Sequence, residues 1–434
     1  MSTLEQPFRW RSIALPALLP TLLFSIGEGA IIPIIPIVSG NLGASLAIAG
    51  LVAAVLLIGE LAGDIPSGWL VSRIGERTAM IGATLLSVLG LIVSLLAPNP
   101  FVLGVGIFVI GLATAVFALA RHAFMTSHVP ASHRARALST LGGIFRAGFF
   151  IGPFITAAAI HFTGSAASAF FIHIVACLAA GLVLLVMPDP TSALKSTRDA
   201  ATRDTAQPSR PSPDMAAAAP DLAPTGLHVP GAPETRGLFA TIAANRGILA
   251  RLGTGAALIS AMRASRAVIL PLWAVSLGIS DTNTALIIGI AGAVDFALFY
   301  ASGQIMDRFG RLATGLPSMI GLGIGHFVLA VTHDLSSAVP WFIAAAVILS
   351  VSNGIGSGII MTLGADLADK RDPAPFLGAW RFTGNLGGAA APLVVAGLTA
   401  AASLSVAAAT FGVVGLIGAG VLVRYIPRFV PRKR

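Results

Sequence analysis

Twelve stretches of this chain are long and apolar enough to cross a bilayer, which leaves few folds open to it. They run over residues 13–38, 44–71, 78–97, 100–126, 136–162, 166–187, 247–276, 283–304, 313–332, 338–364, 375–399 and 402–426. Inside hydrocarbon the backbone must satisfy its own hydrogen bonds, so each stretch reads as a helix. The expected fold is an all-α membrane protein with twelve transmembrane helices. Only 10% of the residues are charged, against about 25% in soluble domains, which excludes soluble enzymes and nucleic-acid binders despite a net charge of +9. The first stretch is too long for a signal-peptide core and lacks a small-residue cleavage site, so it counts as a true span.

Six spans precede and six follow residues 188–245, a stretch rich in Pro, Ala, Asp, Arg and Thr. Such a composition cannot bury enough apolar surface to offset its ordering entropy. The expected organisation is a six-helix bundle at 1–187, a largely disordered cytoplasmic linker at 188–245 with a short helix near 236–246, and a second bundle at 246–434 ending in a basic tail. Lys and Arg collect on one side of the spans, at Arg9, Arg11, Arg73, Arg77, Arg134, Arg136, Arg308, Arg311, Lys370, Arg371, Arg428, Arg432, Lys433 and Arg434. The loops on the other side carry none, so both termini and the linker are expected in the cytoplasm of a bacterial cell, with the protein in its inner membrane. Trp69, Trp273, Trp341, Trp380 and Tyr425 fall near span ends, where interfacial aromatics are expected.

The halves repeat each other. Ser67–Gly75 reappears as Ser302–Gly310, an offset of 235 residues that carries Glu60 onto Asp295. At an offset of 238, Glu28–Pro33 of span 1 overlays Arg266–Pro271 of span 7. Two parallel six-span repeats related by an axis along the membrane normal are the expected architecture.

Nine ionisable residues interrupt the apolar stretches: Glu28, Glu60, Asp64, Arg121, Arg146, Arg263, Arg266, Asp295 and Arg381. Each costs about 2.5–3.5 kcal/mol at a bilayer centre on insertion scales, so such residues face a protein interior or a water-filled path. That points to a transporter. Glu60 and Asp64 share a helix face, as do Arg263 and Arg266. Two readings of Glu28 compete, a proton carrier and a static salt bridge to Arg266 or Arg146. Asp64, Arg121 and Arg381 lie toward the cytoplasmic end, where gate roles are expected, and Asp295 reads as one partner of a structural pair.

Cys177 is the sole cysteine and lies mid-span, which removes disulfide frameworks and cysteine metal clusters. His122, His128 and His133 form the one histidine cluster, without the acids of a metal site. No nucleophile–base set is present, so neither enzymatic activity nor a cofactor or metal is expected.

The loop after span 2, Gly68-x-Leu70-x-Ser72-Arg73-x-Gly75-x-Arg77, resembles the signature loop of the major facilitator superfamily. Its second copy, Gly303-x-Ile305-x-Asp307-Arg308-x-Gly310-Arg311, follows span 8 and is closer to the family pattern. In the first copy Ser72 stands where the family has an acid. Gly148-x-x-x-Gly152-Pro153 in span 5 resembles the antiporter motif of drug–proton exporters, with Thr156 and Ala157 in place of its trailing glycines. Ile107 occupies the register where those exporters carry an arginine in span 4.

The resemblance implies two bundles rocking about a midplane site, with spans 1, 4, 7 and 10 lining a cavity and spans 3, 6, 9 and 12 facing lipid. None of the nine charges falls in the lipid-facing set. It further implies proton-coupled efflux of a small amphipathic drug or metabolite, by a monomer in the lipid bilayer. Glu28, Glu60 and Asp64 would carry protons. Glu28, Arg146, Arg263, Arg266 and Asp295 would line the substrate cavity. Arg73, Arg77, Arg121, Asp307, Arg308, Arg311 and Arg381 would form the cytoplasmic gate, and Gly148, Gly152 and Pro153 would pack helices. The competing expectation is uptake or exchange of an anionic metabolite held by Arg146, Arg263 and Arg266.

Overall fold

The computed structural model describes residues 18–129, 131–187, 238–368 and 374–430. Most of the linker (188–237) and the charges at Arg9, Arg11, Lys370, Arg371, Arg432, Lys433 and Arg434 lie outside the described residues, as do the side chains of His128, His133, Arg134 and Arg136. The described residues are helical throughout, with no strands among them. Span 1 comprises Leu19–Ile31 and Ile35–Asn41, and spans 2 to 6 are Leu46–Ile74, Glu76–Leu95, Pro100–His128, Ala131–Thr163 and Ser168–Val186. A short helix, Leu238–Ala244, leads into span 7, which opens with a π-helical turn at Leu249–Gly253 and continues as Thr254–Ser276. Spans 8 and 9 are Asp281–Phe309 and Leu312–Thr332. Span 10 comprises Ala338–Ile355 and Ile359–Leu367, and spans 11 and 12 are Ala374–Ala401 and Leu404–Phe429.

Two spans depart from the straight helices expected of them. Span 1 bends by 41° at Ile32–Ile34 and reaches Asn41 rather than ending near 38. Pro33 and Pro36 each remove a backbone donor there, which breaks the ladder. Span 10 is interrupted at Gly356–Gly358, where Gly358 takes φ +80°, a conformation glycine adopts without steric cost. The freed carbonyls find side-chain donors: Ser302 Oγ reaches Ile355 O and Ser357 O at 2.6 and 2.7 Å, and Arg263 Nη2 reaches Gly356 O at 2.7 Å.

Each half has its own core. One gathers Phe24, Leu103, Phe117 and Phe170; the other Ile259, Trp273, Phe342 and Phe411. Trp273 and Trp380 are buried in the second core, at 1% exposure each, rather than interfacial. A large ring beside a span end can turn inward when a neighbouring helix offers a partner, and Trp380 Nε1 donates to Ile360 O at 2.8 Å. Leu85 and Leu89 on span 3, Phe171, Val175 and Leu182 on span 6, and Leu416, Ile417 and Val423 on span 12 are large apolar residues left exposed. In water such stripes would drive aggregation; against lipid tails they are at home.

Spans 1 and 5 touch backbone to backbone. A Cβ on Gly148 would lie 2.8 Å from Ile26 N, and one on Gly152 would overlap Ile26 O and the Gly29–Ala30 backbone. Thr156 Oγ donates to Ala30 O at 3.1 Å one turn further on. Small residues at i and i+4 permit this approach, and Pro153 sits within a helix that stays continuous.

The halves meet unevenly. On the face remote from the linker, Gly50 of span 2 abuts Leu272 and Ala396, and Gly289 of span 8 abuts the Phe154 ring. A cleft of about 580 Å³ remains there, bordered by Pro36, Asn41, Leu46, Ser276, Gly278 and Asp281. Toward the linker face, no described atom of the opposite half lies within 4 Å of where a Cβ on Gly68, Gly142, Gly143 or Gly303 would stand. The halves are thus in contact at the far face beside the cleft.

Candidate translocation site

Polar residues concentrate where the halves face each other, in three groups. The first belongs to the N-terminal half. Gly27 is covered by His173 of span 6 and Gly29 by the span 5 backbone at Phe149. Wedged between those two spans, span 1 presents the intervening Glu28 to span 4. There Thr114 Oγ1 donates to Glu28 Oε1 at 2.6 Å, and Glu28 is only 4% exposed. Arg121, seven residues and two turns beyond Thr114, lies on the same face of span 4. It is within electrostatic range of Glu28 and Glu60 but within ion-pair distance of neither among the described residues. Its guanidinium instead covers the Phe145 ring at 4.6 Å, and its Nε is buried without a hydrogen-bond partner. Glu60 has no hydrogen-bond or ion-pair partner among the described residues. Asp64, one turn further, accepts from Asn385 Nδ2 of span 11 at 3.3 Å, with Arg381 in electrostatic range. Asp64, Arg381 and Asn385 are all exposed although they stand between the halves.

The second group centres on Asp295 of span 8. Arg266 Nη1 lies 3.3 Å from its Oδ2, Asn353 Nδ2 donates to the same oxygen at 2.5 Å, and Arg146 Nη1 of span 5 lies 3.6 Å from Oδ1. Arg266 also donates to Ser350 Oγ at 3.1 Å, and the Arg146 guanidinium lies over the Phe299 ring at 4.8 Å. Among the described residues Arg263, one turn before Arg266, hydrogen-bonds only the Gly356 carbonyl, and its Nε is buried and unpartnered. Glu28 is thus not salt-bridged to Arg266 or Arg146. Both turn to Asp295, because spans 5, 7 and 8 converge there while Glu28 faces span 4.

The third group lies on the linker face. Arg311 holds Asp366 of span 10 through Nε at 2.8 Å and Nη2 at 3.3 Å, and Asp307 Oδ1 through Nη1 at 3.4 Å. The two-pronged bond to Asp366 pushes the Arg311 guanidinium further above its ordinary range. Asp307 is 83% exposed, and Arg308 stacks on Phe309 at 5.2 Å. These contacts all stay within the C-terminal half. In the first motif copy Arg73 lies over Trp69 at 5.3 Å, Ser72 Oγ donates to Trp69 O, and Arg77 donates to Leu184 O and Met187 O at 2.7 and 2.6 Å, holding the end of span 6. Arg121 and Arg381, assigned with these to one gate, stand instead with the first group.

Sequence reasoning overlooked Thr114, Ser350, Asn353, Asp366 and Asn385. Thr114 and Ser350 are 236 residues apart, within one or two residues of the repeat offsets, and each bonds the residue that the repeat pairs on spans 1 and 7. The same offset of 235 that joins Glu60 to Asp295 joins Arg146 to Arg381. Arg146 pairs across the halves with Asp295, and Arg381 lies in electrostatic range of Asp64 in the opposite half.

A model of the Major Facilitator Superfamily matches residues 17–392 and again 252–434. The chain belongs to this superfamily. As a member it is a multi-pass membrane transporter, not an enzyme. Among curated proteins it is similar to "Probable inositol transporter 2" of Arabidopsis thaliana, 27% identical over 115 residues; the match spans 26% of this chain and 20% of that protein. Among solved structures, a D-xylose-proton symporter superposes with a TM-score of 0.72 at 15% identity, covering 98% of this chain and 99% of that one. A POT family transporter in complex with 5-aminolevulinic acid gives a TM-score of 0.72 at 12% identity, covering 97% of each chain. At such identities the superpositions establish the superfamily fold.

Proposed function

We propose that the protein is a proton-coupled secondary transporter in a bacterial inner membrane, exporting a small amphipathic compound in exchange for protons. Residues 1–187 and 246–434 are the moving bodies, and the linker face, with both termini, is cytoplasmic. In this reading the structure is the inward-facing form of a monomer. Glu28, Glu60 and Asp64 are the proton-carrying residues, and Arg121 is their nearby cation.

The observation that carries the reading is Glu28 itself, 4% exposed and, among the described residues, bonded to one hydroxyl and lacking an ion-pair partner. Glu60 adds a second acid in range of the same unpaired arginine. A buried negative charge without a counter-ion is costly, and a proton is the smallest group that removes it. Rocking the halves carries Glu28 past both faces, so its proton can load on one side and leave on the other.

The test uses pyranine-loaded proteoliposomes and a panel of amphipathic amines, alcohols and carboxylates. A compound carried by the wild type should move protons in the opposite direction, and Glu28→Gln should retain binding while losing at least about a hundredfold in pH-driven transport. A Glu28→Gln protein that still concentrates the compound on a pH gradient would remove Glu28 as carrier.

A second reading, uptake or exchange of an anionic metabolite, has an observation in its favour: two guanidinium groups pair with one carboxylate at the interface, and Arg263, one turn from Arg266, has a carbonyl rather than an acid as partner.

A further inference from the structure

Charge at the Asp295 group does not balance. Arg266 and Asn353 already occupy Asp295 Oδ2. Asp295 Oδ1 is buried without a hydrogen bond, and Arg146 stands 3.6 Å away, in ion-pair range but beyond a normal bond. Arg263 has only a neutral carbonyl as partner, its Nε is buried and unmatched, and no acid lies within 4 Å of it among the described residues. Two guanidinium groups therefore share one carboxylate and a third has none among the described residues, which leaves two positive charges uncompensated between the halves. Buried cations normally have a paired anion.

The surroundings are aromatic. Phe150 of span 5 stacks on Phe296 of span 8 at 5.9 Å, Phe154 meets Phe150 edge-on at 5.5 Å, and Phe299 lies under Arg146. All four rings are partly exposed. They come from the two spans that join the halves beside Asp295, and Arg146, Phe150 and Phe154 recur every four residues along span 5.

We propose that the ligand of this group is an amphipathic organic anion, a carboxylate or sulfonate on an apolar, ring-sized body. Its two oxygens satisfy Arg263 and Arg146, and the body lies against Phe150 and Phe296. A guanidinium fork matches two such oxygens in one plane, which an ammonium does not. A lipophilic cation would meet a net positive wall, and a neutral solute would leave the arginines uncompensated. The ligand is called cargo only on the transporter reading above; its chemistry follows from the charge imbalance alone.

Equilibrium binding to the purified full chain in detergent tests this, with 4-phenylbutyrate, 4-phenylbutylamine, 4-phenylbutanol and butyrate as matched probes. Phenylbutyrate should bind at least about tenfold more tightly than each of the other three, the loss expected for one missing charge-assisted contact or one missing ring. Arg263→Gln should weaken phenylbutyrate by at least about tenfold, with Arg263→Lys recovering part of it because the charge remains and the fork is lost. Phe150→Leu should weaken phenylbutyrate and leave butyrate unchanged, and it serves if Arg263→Gln proves polydisperse. No saturable phenylbutyrate binding, equal binding by the amine, or an unaltered affinity in a folded Arg263→Gln protein each overturns the proposal. Arginine-dependent binding without pH-driven flux would sink the transport reading and leave the site standing. Proton-coupled flux of the amine with no anion binding would do the reverse.

Discussion

Glu28 and Arg266 occupy matching positions in the two halves, as do Glu60 and Asp295, yet the neighbourhoods differ in kind. In the C-terminal half the two positions carry opposite charges and pair at 3.3 Å, with Ser350 and Asn353 completing the contacts. In the N-terminal half both are acids; Thr114 supplies the single hydroxyl, and Arg121 stays on a phenyl ring. The contacts across the interface repeat the difference. Arg146 reaches Asp295 as a partly buried ion pair, whereas Arg381, its counterpart, only approaches an exposed Asp64. One backbone plan thus carries an acid held by arginines in one half and, among the described residues, two acids without an ion-pair partner in the other. The difference lies in a few side chains, because helix packing leaves the same sites open in both halves.

If that contrast is real, removing Asp295 should have the largest effect on stability. Asp295→Ala strands the Arg146 and Arg266 guanidinium groups and should cost about 3 kcal/mol, read as a fall in the unfolding temperature of the detergent-solubilised protein. An unchanged melting temperature would show that the C-terminal cluster is not a framework. Next in size is a glycine comparison. Gly152→Leu must push span 5 off the span 1 backbone and should cost about 2 kcal/mol. At Gly387, the equivalent position of span 11, a Cβ would likewise overlap the Ala257 backbone of span 7, so Gly387→Leu should cost about as much. At neighbouring Gly388, by contrast, a Cβ would meet Ser260 Cβ at an ordinary 3.8 Å, and Gly388→Ala should stay within about 0.5 kcal/mol. Thr114→Val should lower stability by about 1 kcal/mol, whereas Ser350→Ala should lower it less, since Arg266 keeps Asp295. The smallest effect sharpens the contrast most: Glu60→Gln removes a like charge beside Glu28 and should leave the melting temperature unchanged or slightly raised. A marked loss there would point to a salt bridge in the N-terminal half.

Much of the architecture was legible beforehand because its causes are local. Twelve apolar runs, the absence of basic residues from one set of loops and the 235-residue repeat act through length, hydropathy and order along the chain. The bend at Ile32–Ile34 was also latent in Pro33 and Pro36, although the whole run reads as one span. Pairing was less accessible. Arg121 reads as a gate residue from its depth, yet it shares a helix face with Thr114 and so stands in electrostatic range of Glu28 and Glu60, its guanidinium on the Phe145 ring. Arg77 sits in a gate motif and holds the end of span 6. Asp307 looked like the latch, while Arg311 found its better partner in Asp366, fifty-five residues away on span 10. Trp273 and Trp380 sit near span ends and are nonetheless buried, because neighbouring helices cover them.

From its residues alone this protein was bound to be a pair of six-helix bundles in a membrane, carrying charges that lipid would not tolerate. Hydropathy and periodicity decide that much, since each span must satisfy its own backbone wherever it finally sits. Which acid meets which arginine was decided only when spans 1, 4, 5, 7, 8 and 10 came together. A side chain three or four bonds long can answer several neighbours, and the angle between helices, which no single helix encodes, selects among them.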